Sequence, residues 1–393
     1  MKRTIRDVDV RGKKVVLRVD FNVPVQEGKV ADDTRIKEAL PTIRYLLDNG
    51  ARVIILSHLG RPKNREPEFS LKPVYEKLKE YIDKVSFVPD CVGDEVERKV
   101  QELKDGEAVL LENVRFYKEE TKNDPEFARR LASLGEIYVN DAFATAHRAH
   151  ASTHGIAGFM ERKVAGFLME KEIKYLSHVL KSDERPFTVI LGGAKISTKL
   201  GVIKNLLSRA DKILLGGAMI FTFFRSQGIE VGKSLVEEEM LDEARRILSD
   251  AGKKEITFIL PVDVVVADKP EEGVKTEVVS KNEIPQDKMG LDIGPVTRRI
   301  FQEALKGSKV IFWNGPMGLF EVPPFDEGSK SIAQAIVEET KKGAISVAGG
   351  GDTAACIHKL GLSGFTHIST GGGASMEFIA GEKLPGIEVL EDA

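Results

Sequence analysis

In the first half of the chain, polar residues that can hold an anion recur after short apolar runs. Asp20 and Asn22 follow KVVLRV, and His58, Arg61 and Lys63 follow VIIL. Arg115 follows AVLLEN, and His147, Arg148 and His150 follow EIYVND. Arginine suits phosphate and carboxylate because its planar fork makes two charge-assisted hydrogen bonds to one anion. Taken singly, each of these residues reads as a solvated surface charge or an ion-pair partner, since loops are ordinarily polar. Their repetition at one kind of position favours a site for a small, multiply charged anion.

The second half carries a different set. Its apolar runs end in Gly192-Gly193-Ala194-Lys195, Gly216-Gly217-Ala218, Asn314-Gly315-Pro316, Gly349-Gly350-Gly351-Asp352 and Gly371-Gly372-Gly373. Glycine between a strand and a helix lets backbone N–H groups approach a phosphate at the positive helix end. The same glycines also read as tight turns and close helix packing. Lys195 and Lys199 before a helical pattern, with Asp352 after a triple glycine, favour a nucleotide site with a metal-binding carboxylate.

Three motifs point elsewhere and are set aside. GIEVGKS (228–234) is one residue short of the P-loop spacing and follows a helical pattern rather than a strand. No G-x-G-x-x-G opens either half, which weakens a dinucleotide reading. His147, His150 and His154 have a spacing that could ligate zinc on a helix, but Arg148 in the same cluster favours anion contact.

These loops need a scaffold that brings strand ends together. Runs rich in β-branched residues lie at 14–20, 52–57, 84–88, 108–113 and 136–141. Others lie at 187–193, 212–217, 256–263, 309–315, 344–350 and 366–370, with helical patterns between them. Continuous apolar strands suit parallel sheets covered on both faces, so the expected class is α/β with two such sheets. A length of 393 residues fits two domains. Residues 164–182 read as a helix connecting them.

A net charge of −3, from 58 Lys plus Arg against 61 Asp plus Glu, argues against a nucleic-acid partner. Cys91 and Cys356 form no C-x-x-C pair, so no disulfide scaffold or zinc site is indicated. The first residues lack the apolar core of a secretory signal, and no uncharged stretch is long enough to span a membrane. The expectation is a cytoplasmic protein with no membrane or nucleic-acid partner.

RVDFNVP (18–24), SHLGRP (57–62), ENVRF (112–116), NDAFATAHRAHAS (140–152), LGGAKISTK (191–199), GLDIGP (290–295), WNGPMGLFE (313–321), GGGDT (349–353) and STGGGAS (369–375) together resemble phosphoglycerate kinase over nearly the whole chain. The resemblance implies a monomeric glycolytic enzyme of two doubly wound, Rossmann-like domains joined by a long helix, with the C-terminal tail packed back on the first. It implies residues 1–166 plus about 377–393 as the 3-phosphoglycerate domain, and 167–376 as the nucleotide domain. Substrate contacts would come from Asp20, Phe21, Asn22, Arg35, His58, Leu59, Gly60, Arg61, Arg115 and Arg148. Nucleotide contacts would come from Lys199, Gly290, Asn314, Glu321, Gly349, Gly350, Gly351, Asp352 and Thr353, with Asp352 holding Mg²⁺. Arg35, Lys195, Lys199, Gly371 and Gly372 would act on the transferring phosphoryl group. The reaction implied is reversible transfer between 1,3-bisphosphoglycerate and ADP. In-line transfer needs the reacting atoms within about 3 to 3.5 Å, and the two sites are built on separate lobes. Closure on both substrates is therefore expected, with hinges near 164–166 and 375–378.

Two rivals remain at this level. One is a kinase of the same layout acting on another small acid. The other is a two-lobed solute-binding protein, for which the lysine pair and Asp352 would be superfluous.

Overall fold

A computed structural model describes all 393 residues. The chain divides into two compact units, Met1–Lys174 with Lys383–Ala393, and Tyr175–Glu382. The division falls inside one helix, Phe167–Lys181, which occupies most of the span expected for the connector.

The first unit holds β1 (Lys14–Arg18), β2 (Val25–Gln26), β3 (Lys29–Val30), β4 (Arg52–Leu56), β5 (Val85–Val88), β6 (Ala108–Leu111), β7 (Ile137–Asn140) and β8 (Arg162–Ala165). Six of them form a sheet in the order β5-β6-β4-β1-β7-β8, parallel throughout. β2 and β3 make a separate antiparallel hairpin. Helices cover the sheet, so its central strands have no solvent face. Every residue of β6 and β7 is buried, which is why they read as unbroken apolar runs rather than alternating ones. The helix Thr34–Asp48 turns Ile36, Ala39, Leu40, Ile43 and Leu46 into the core, the i, i+3, i+4 pattern of one apolar face. The C-terminal tail belongs to this unit. Leu384, Ile387 and Leu390 are buried, and Gly386 N–H donates to the Ala146 carbonyl at 2.8 Å.

The second unit holds β9 (Phe187–Leu191), β10 (Lys212–Leu215), β11 (Thr257–Ile259), β12 (Asp263–Ala267), β13 (Glu277–Ser280), β14 (Met289–Ile293), β15 (Val310–Asn314), β16 (Ile345–Ala348) and β17 (His367–Ile368). Its parallel sheet runs β11-β10-β9-β15-β16-β17. A second, antiparallel sheet runs β13-β12-β14. The expected run at 256–263 therefore belongs to two sheets. β11 ends at Ile259, and Asp263 already opens β12, where its carboxylate accepts hydrogen bonds from Val296 and Thr297 at the start of the next helix.

In each parallel sheet the chain fills one side first and then crosses to the other. The reversal lies between β1 and β7 in one unit and between β9 and β15 in the other. Crevices outside the carboxyl ends of strands at such a reversal are where open α/β sheets bind ligands. The residues that can do chemistry follow these strands and their neighbours.

Candidate active site

In the first unit the loop after β1 is shaped by its own side chains. Asp20 accepts from Asn22 N–H at 2.9 Å, and Arg35 donates to both Asp20 oxygens at 3.2 and 3.1 Å and to the Asn22 carbonyl at 3.0 Å. Asn22 Oδ1 in turn accepts from Gly60 N–H at 2.9 Å, tying this loop to the one after β4. Gly60 sits at φ +61°, and a Cβ there would lie 2.4 Å from the Phe69 ring, so no other residue fits. Phe21 and Leu59 are buried. Their side chains belong to the core, and Phe21 N–H is taken by Ser57 Oγ at 2.9 Å.

The ENVRF segment after β6 braces the β4 loop. Glu112 is buried and accepts from Ser70 Oγ and Leu71 N–H at 2.6 and 2.7 Å. Asn113 Nδ2 donates to the Leu59 and Phe69 carbonyls at 2.7 and 2.9 Å. Arg115 donates to the Gly60 carbonyl at 2.9 Å, while its Nε is buried with no partner. Arg61 and Arg148 are exposed, and so is Lys63, whose backbone N–H turns to Glu66.

These groups form one electrostatic unit. Burial pushes His58 well below the usual imidazole range, and Arg18, Arg115, Arg35 and His150 push it further. Burial likewise takes His150 down to about 4, with Arg115, Arg18, Arg148 and His147 adding to it. Arg115 is lowered to about 10, chiefly by burial and by Arg18, with Arg61 also contributing. Both imidazoles are therefore neutral at neutral pH, in a crevice crowded with fixed positive charge. An anion would relieve that crowding and give Arg115 Nε a partner.

In the second unit, Lys199 closes the loop after β9 and lies beside Asn314, whose Oδ1 accepts from its ammonium group. Burial lowers Lys199 to about 8, and Asp352 opposes the shift. At neutral pH it is thus largely a cation. Lys195 on the same loop is exposed. Ser197, midway between them, donates from both N–H and Oγ to the buried carboxylate of Glu237. Asp352 is exposed in the first turn of the helix Gly351–Leu360, and Glu321 is exposed as well.

The glycines separate into two kinds. A Cβ on Gly192 would lie 2.1 Å from the Pro316 carbonyl oxygen, one on Gly217 2.3 Å from Gly193 N, and one on Gly315 2.3 Å from the Gly192 carbonyl oxygen. These residues are glycine because three loops pack backbone against backbone. Gly350 would similarly strike Asn314, and Gly290 would strike the Phe221 ring. Gly351 and Gly372 instead have open space where a Cβ would be, and those are the places where a phosphate could come close to the main chain. Gly371 is buried, with its N–H donating to Ser369 Oγ at 3.3 Å. Asn314 and Thr353 are buried ties. Asn314 Nδ2 donates to the Gly349 carbonyl at 2.7 Å, and Thr353 Oγ1 accepts from Gly315 N–H at 2.7 Å.

Beside these loops is a cavity of about 410 Å³, walled by Ile220, Phe221, Leu235, Leu291, Met317 and Leu319, with Lys233, Glu321 and Asp352 among its charged lining. An apolar slot with a few polar groups is the shape of a small-ligand site, and a flat base with a sugar fits its chemistry. No three His, Cys, Asp or Glu side chains are grouped to hold a metal ion. Asp352 suits Mg²⁺ nonetheless, because that ion ordinarily takes one or two carboxylates and completes its shell with phosphate oxygens and water.

Several of these residues were not singled out from sequence. Arg18, Ser152 and Glu120 form a buried network behind His58. Glu112 and Asn113 stood in a quoted motif but without the bracing role they have. Glu237 and the apolar cavity wall come from elements that only folding brings together. GIEVGKS leaves the helix Met219–Ser226 as a loop, with Gly232 packed on the Pro285 and Lys288 carbonyls.

The phosphoglycerate kinase family model matches residues 5–382. A phosphoglycerate kinase of Thermosipho africanus is 57% identical over 98% of this chain and 97% of its own length. One of Dictyoglomus turgidum is 53% identical over 100% of this chain and 99% of its own. The solved phosphoglycerate kinase of Coxiella burnetii superposes with a TM-score of 0.92 at 40% identity, covering 99% of this chain and 98% of that one. With the family model spanning most of its length and relatives above half identity end to end, the chain belongs to the phosphoglycerate kinase family.

Proposed function

We propose that this protein transfers a phosphoryl group reversibly between 1,3-bisphosphoglycerate and ADP, giving 3-phosphoglycerate and ATP. The observation that carries the reading is the state of the first-unit crevice. Arg115 Nε is buried without a partner among other cations, and two histidines are held neutral by burial and by the positive groups around them. Such a crevice is built for an anion, and 3-phosphoglycerate brings a phosphate and a carboxylate.

On this reading Arg61, Arg115, Arg148 and His58 hold the acid's charged groups, and Arg35 with Asp20 and Asn22 orients its reacting end. The attacking carboxylate is already ionised at neutral pH, so no general base is needed. What the protein supplies is alignment and charge neutralisation. Lys199 and Lys195 serve the transferring phosphoryl group. The open backbone at Gly351 and Gly372 approaches phosphate oxygens, and the apolar cavity takes the base, with Glu321 for the sugar. Asp352 would hold Mg²⁺, which would supply positive charge against the nucleotide's phosphates.

Because acid and nucleotide are held on separate sheets, transfer requires the loop sets to meet within about 3 to 3.5 Å of reacting distance, which calls for closure on both ligands. Residence in the cytoplasm as a monomer belongs to the same proposal. No helix is long and apolar enough to cross a membrane.

The test is ADP formation from ATP that depends on added 3-phosphoglycerate. No dependence on that acid would overturn the reading. Small-angle scattering should show a smaller radius of gyration with both ligands than with neither.

A further inference from the structure

We propose that buried Arg18 is a positioning residue that fixes His58 as the Nε2–H tautomer, so that His58 serves the anion site as a neutral hydrogen-bond donor. Arg18 ends β1 with no part of its side chain exposed. Its Nε donates to Ser152 Oγ at 2.7 Å, its Nη1 to the Val19 carbonyl, and its Nη2 lies 3.0 Å from His58 Nδ1.

A guanidinium has five N–H donors and no acceptor. The atom facing it must therefore offer a lone pair, which leaves the ring proton on Nε2. A second proton on Nδ1 would set two donors against each other and add charge beside Arg18.

The chain of bonds behind Arg18 leaves it no other arrangement. Ser152 Oγ accepts from Arg18, so its own hydrogen goes to Glu120 Oε2 at 2.5 Å, while Ser152 N–H donates to Glu120 Oε1 at 2.6 Å. Glu120 is fully buried and takes both bonds as an acceptor. From Glu120 through Ser152 and Arg18 to His58, each of these bonds has one donor and one acceptor. The charged or titratable groups facing His58 from the surrounding elements are Arg18 on β1, Arg35 on the helix Thr34–Asp48, Arg115 in the turn Val114–Phe116, and His150. All four lower its affinity for a proton, while the acids of the crevice are engaged elsewhere, Glu120 by Ser152 and Asp20 by Arg35. His58 is thereby set apart from its arginine neighbours. They supply charge, and it supplies direction.

Histidine labelling of the protein and nitrogen-detected NMR would read the ring directly, with His58→Gln identifying its signals. Nδ1 should give the shift of an unprotonated nitrogen and Nε2 that of a protonated one. Both should stay unchanged from about pH 8 to about pH 5, the window in which an ordinary histidine titrates. A proton on Nδ1, or conversion to imidazolium within that window, would overturn the proposal.

Arg18→Lys keeps the buried charge but loses the fork. It should mix the two tautomers and weaken 3-phosphoglycerate binding about tenfold or more, the scale of a hydrogen bond to a charged group. Unchanged His58 signals in that variant would count against Arg18. Should it fail to fold, His58→Gln and His58→Lys decide between donor and charge. Glutamine, with one donor group and one acceptor, should bind the acid better than lysine; the reverse order would overturn the proposal. Only the identity of the anion rests on the proposed function. If 3-phosphoglycerate fails to bind the unaltered protein, that reading falls, while the tautomer measured in the free protein still stands or falls by itself.

Discussion

Beyond β1, β4 and β7 the working groups are side chains, many of them braced by others that are buried. Beyond β9, β15 and β16 most of the loop surface is main chain, and few side chains project from it. The first arrangement gives a crevice whose charge is fixed before any ligand arrives. Arg35 is held by Asp20, Arg115 by the Gly60 carbonyl, and Arg18 by Ser152. The second gives a crevice whose shape is fixed by close packing, with Lys195, Lys199 and Asp352 as its charges next to an apolar cavity. On the proposed function, the first suits a small, highly charged acid and the second a larger nucleotide.

The largest expected effect lies where the second arrangement has least redundancy. Lys199→Ala should lower kcat by about 10²-fold or more, the scale of losing one preorganised donor to a transition-state charge. Circular dichroism should show the fold intact, because the side chain belongs to a loop, half-buried against Asn314, and not to the apolar core. Turnover close to that of the unaltered protein would remove Lys199 from the mechanism.

The first arrangement has several cations, so losing one should cost less. Arg61→Ala should weaken 3-phosphoglycerate binding by about 10- to 100-fold through lost charge-assisted hydrogen bonds. ADP binding, measured by calorimetry on the same sample, should be unchanged. Equal losses for both ligands would break the division of labour between the two sheets.

A smaller effect tests how the lysine loop is held. Glu237→Ala frees Ser197, so Lys195 and Lys199 lose their shared anchor without being altered themselves. The expected loss is about tenfold in kcat, with KM for 3-phosphoglycerate little changed, since misplacement acts mainly on alignment. A change confined to KM for the acid would show that Glu237 does something else.

The contrast between the units also explains what the sequence could and could not tell. All eleven apolar runs contain strands of the parallel sheets. A strand buried on both faces, as β6 and β7 are, leaves a mark in composition, and the partly exposed edge strands β5 and β11 still carry apolar residues. β8 was missed because Arg162 and Lys163 open it and Arg162 is exposed. The β13-β12-β14 sheet was missed because β11 and β12 lie in one continuous run. In the site, the glycine signal was broader than its use. Gly192, Gly217 and Gly315 answer to each other's backbones, and a one-dimensional reading cannot tell such a glycine from Gly351 or Gly372, which have open space. The cation signal was narrower than its use. Arg18 sits inside a strand pattern rather than after it, so nothing in its position marked it as part of the crevice. Its partners Ser152 and Glu120 are 134 and 102 residues away in sequence.

The smallest expected effect concerns the charge fixed in the first crevice, and it appears as acid sensitivity. His150 titrates at about 4 in the folded protein, chiefly because it is buried and then because Arg115, Arg18 and Arg148 face it. In the unfolded chain a histidine titrates near 6.5. Between those values the unfolded chain binds the proton and the folded protein does not, so stability rises with pH across this window. The contribution is whole above about 6.5 and is lost progressively toward 4. At about pH 5.5 the loss is on the order of 1 kcal/mol for this one group. Urea unfolding followed by circular dichroism at about pH 7 and pH 5.5 should therefore show a steeper fall for the natural protein than for His150→Asn. His58 is present in both proteins and cancels from the difference. Saturating 3-phosphoglycerate should flatten the slope of the natural protein, because a bound anion offsets the cations that add to the effect of burial on His150. Equal slopes for the two proteins without ligand would mean that His150 does not feel the crevice, and that the charge there is less concentrated than the geometry indicates.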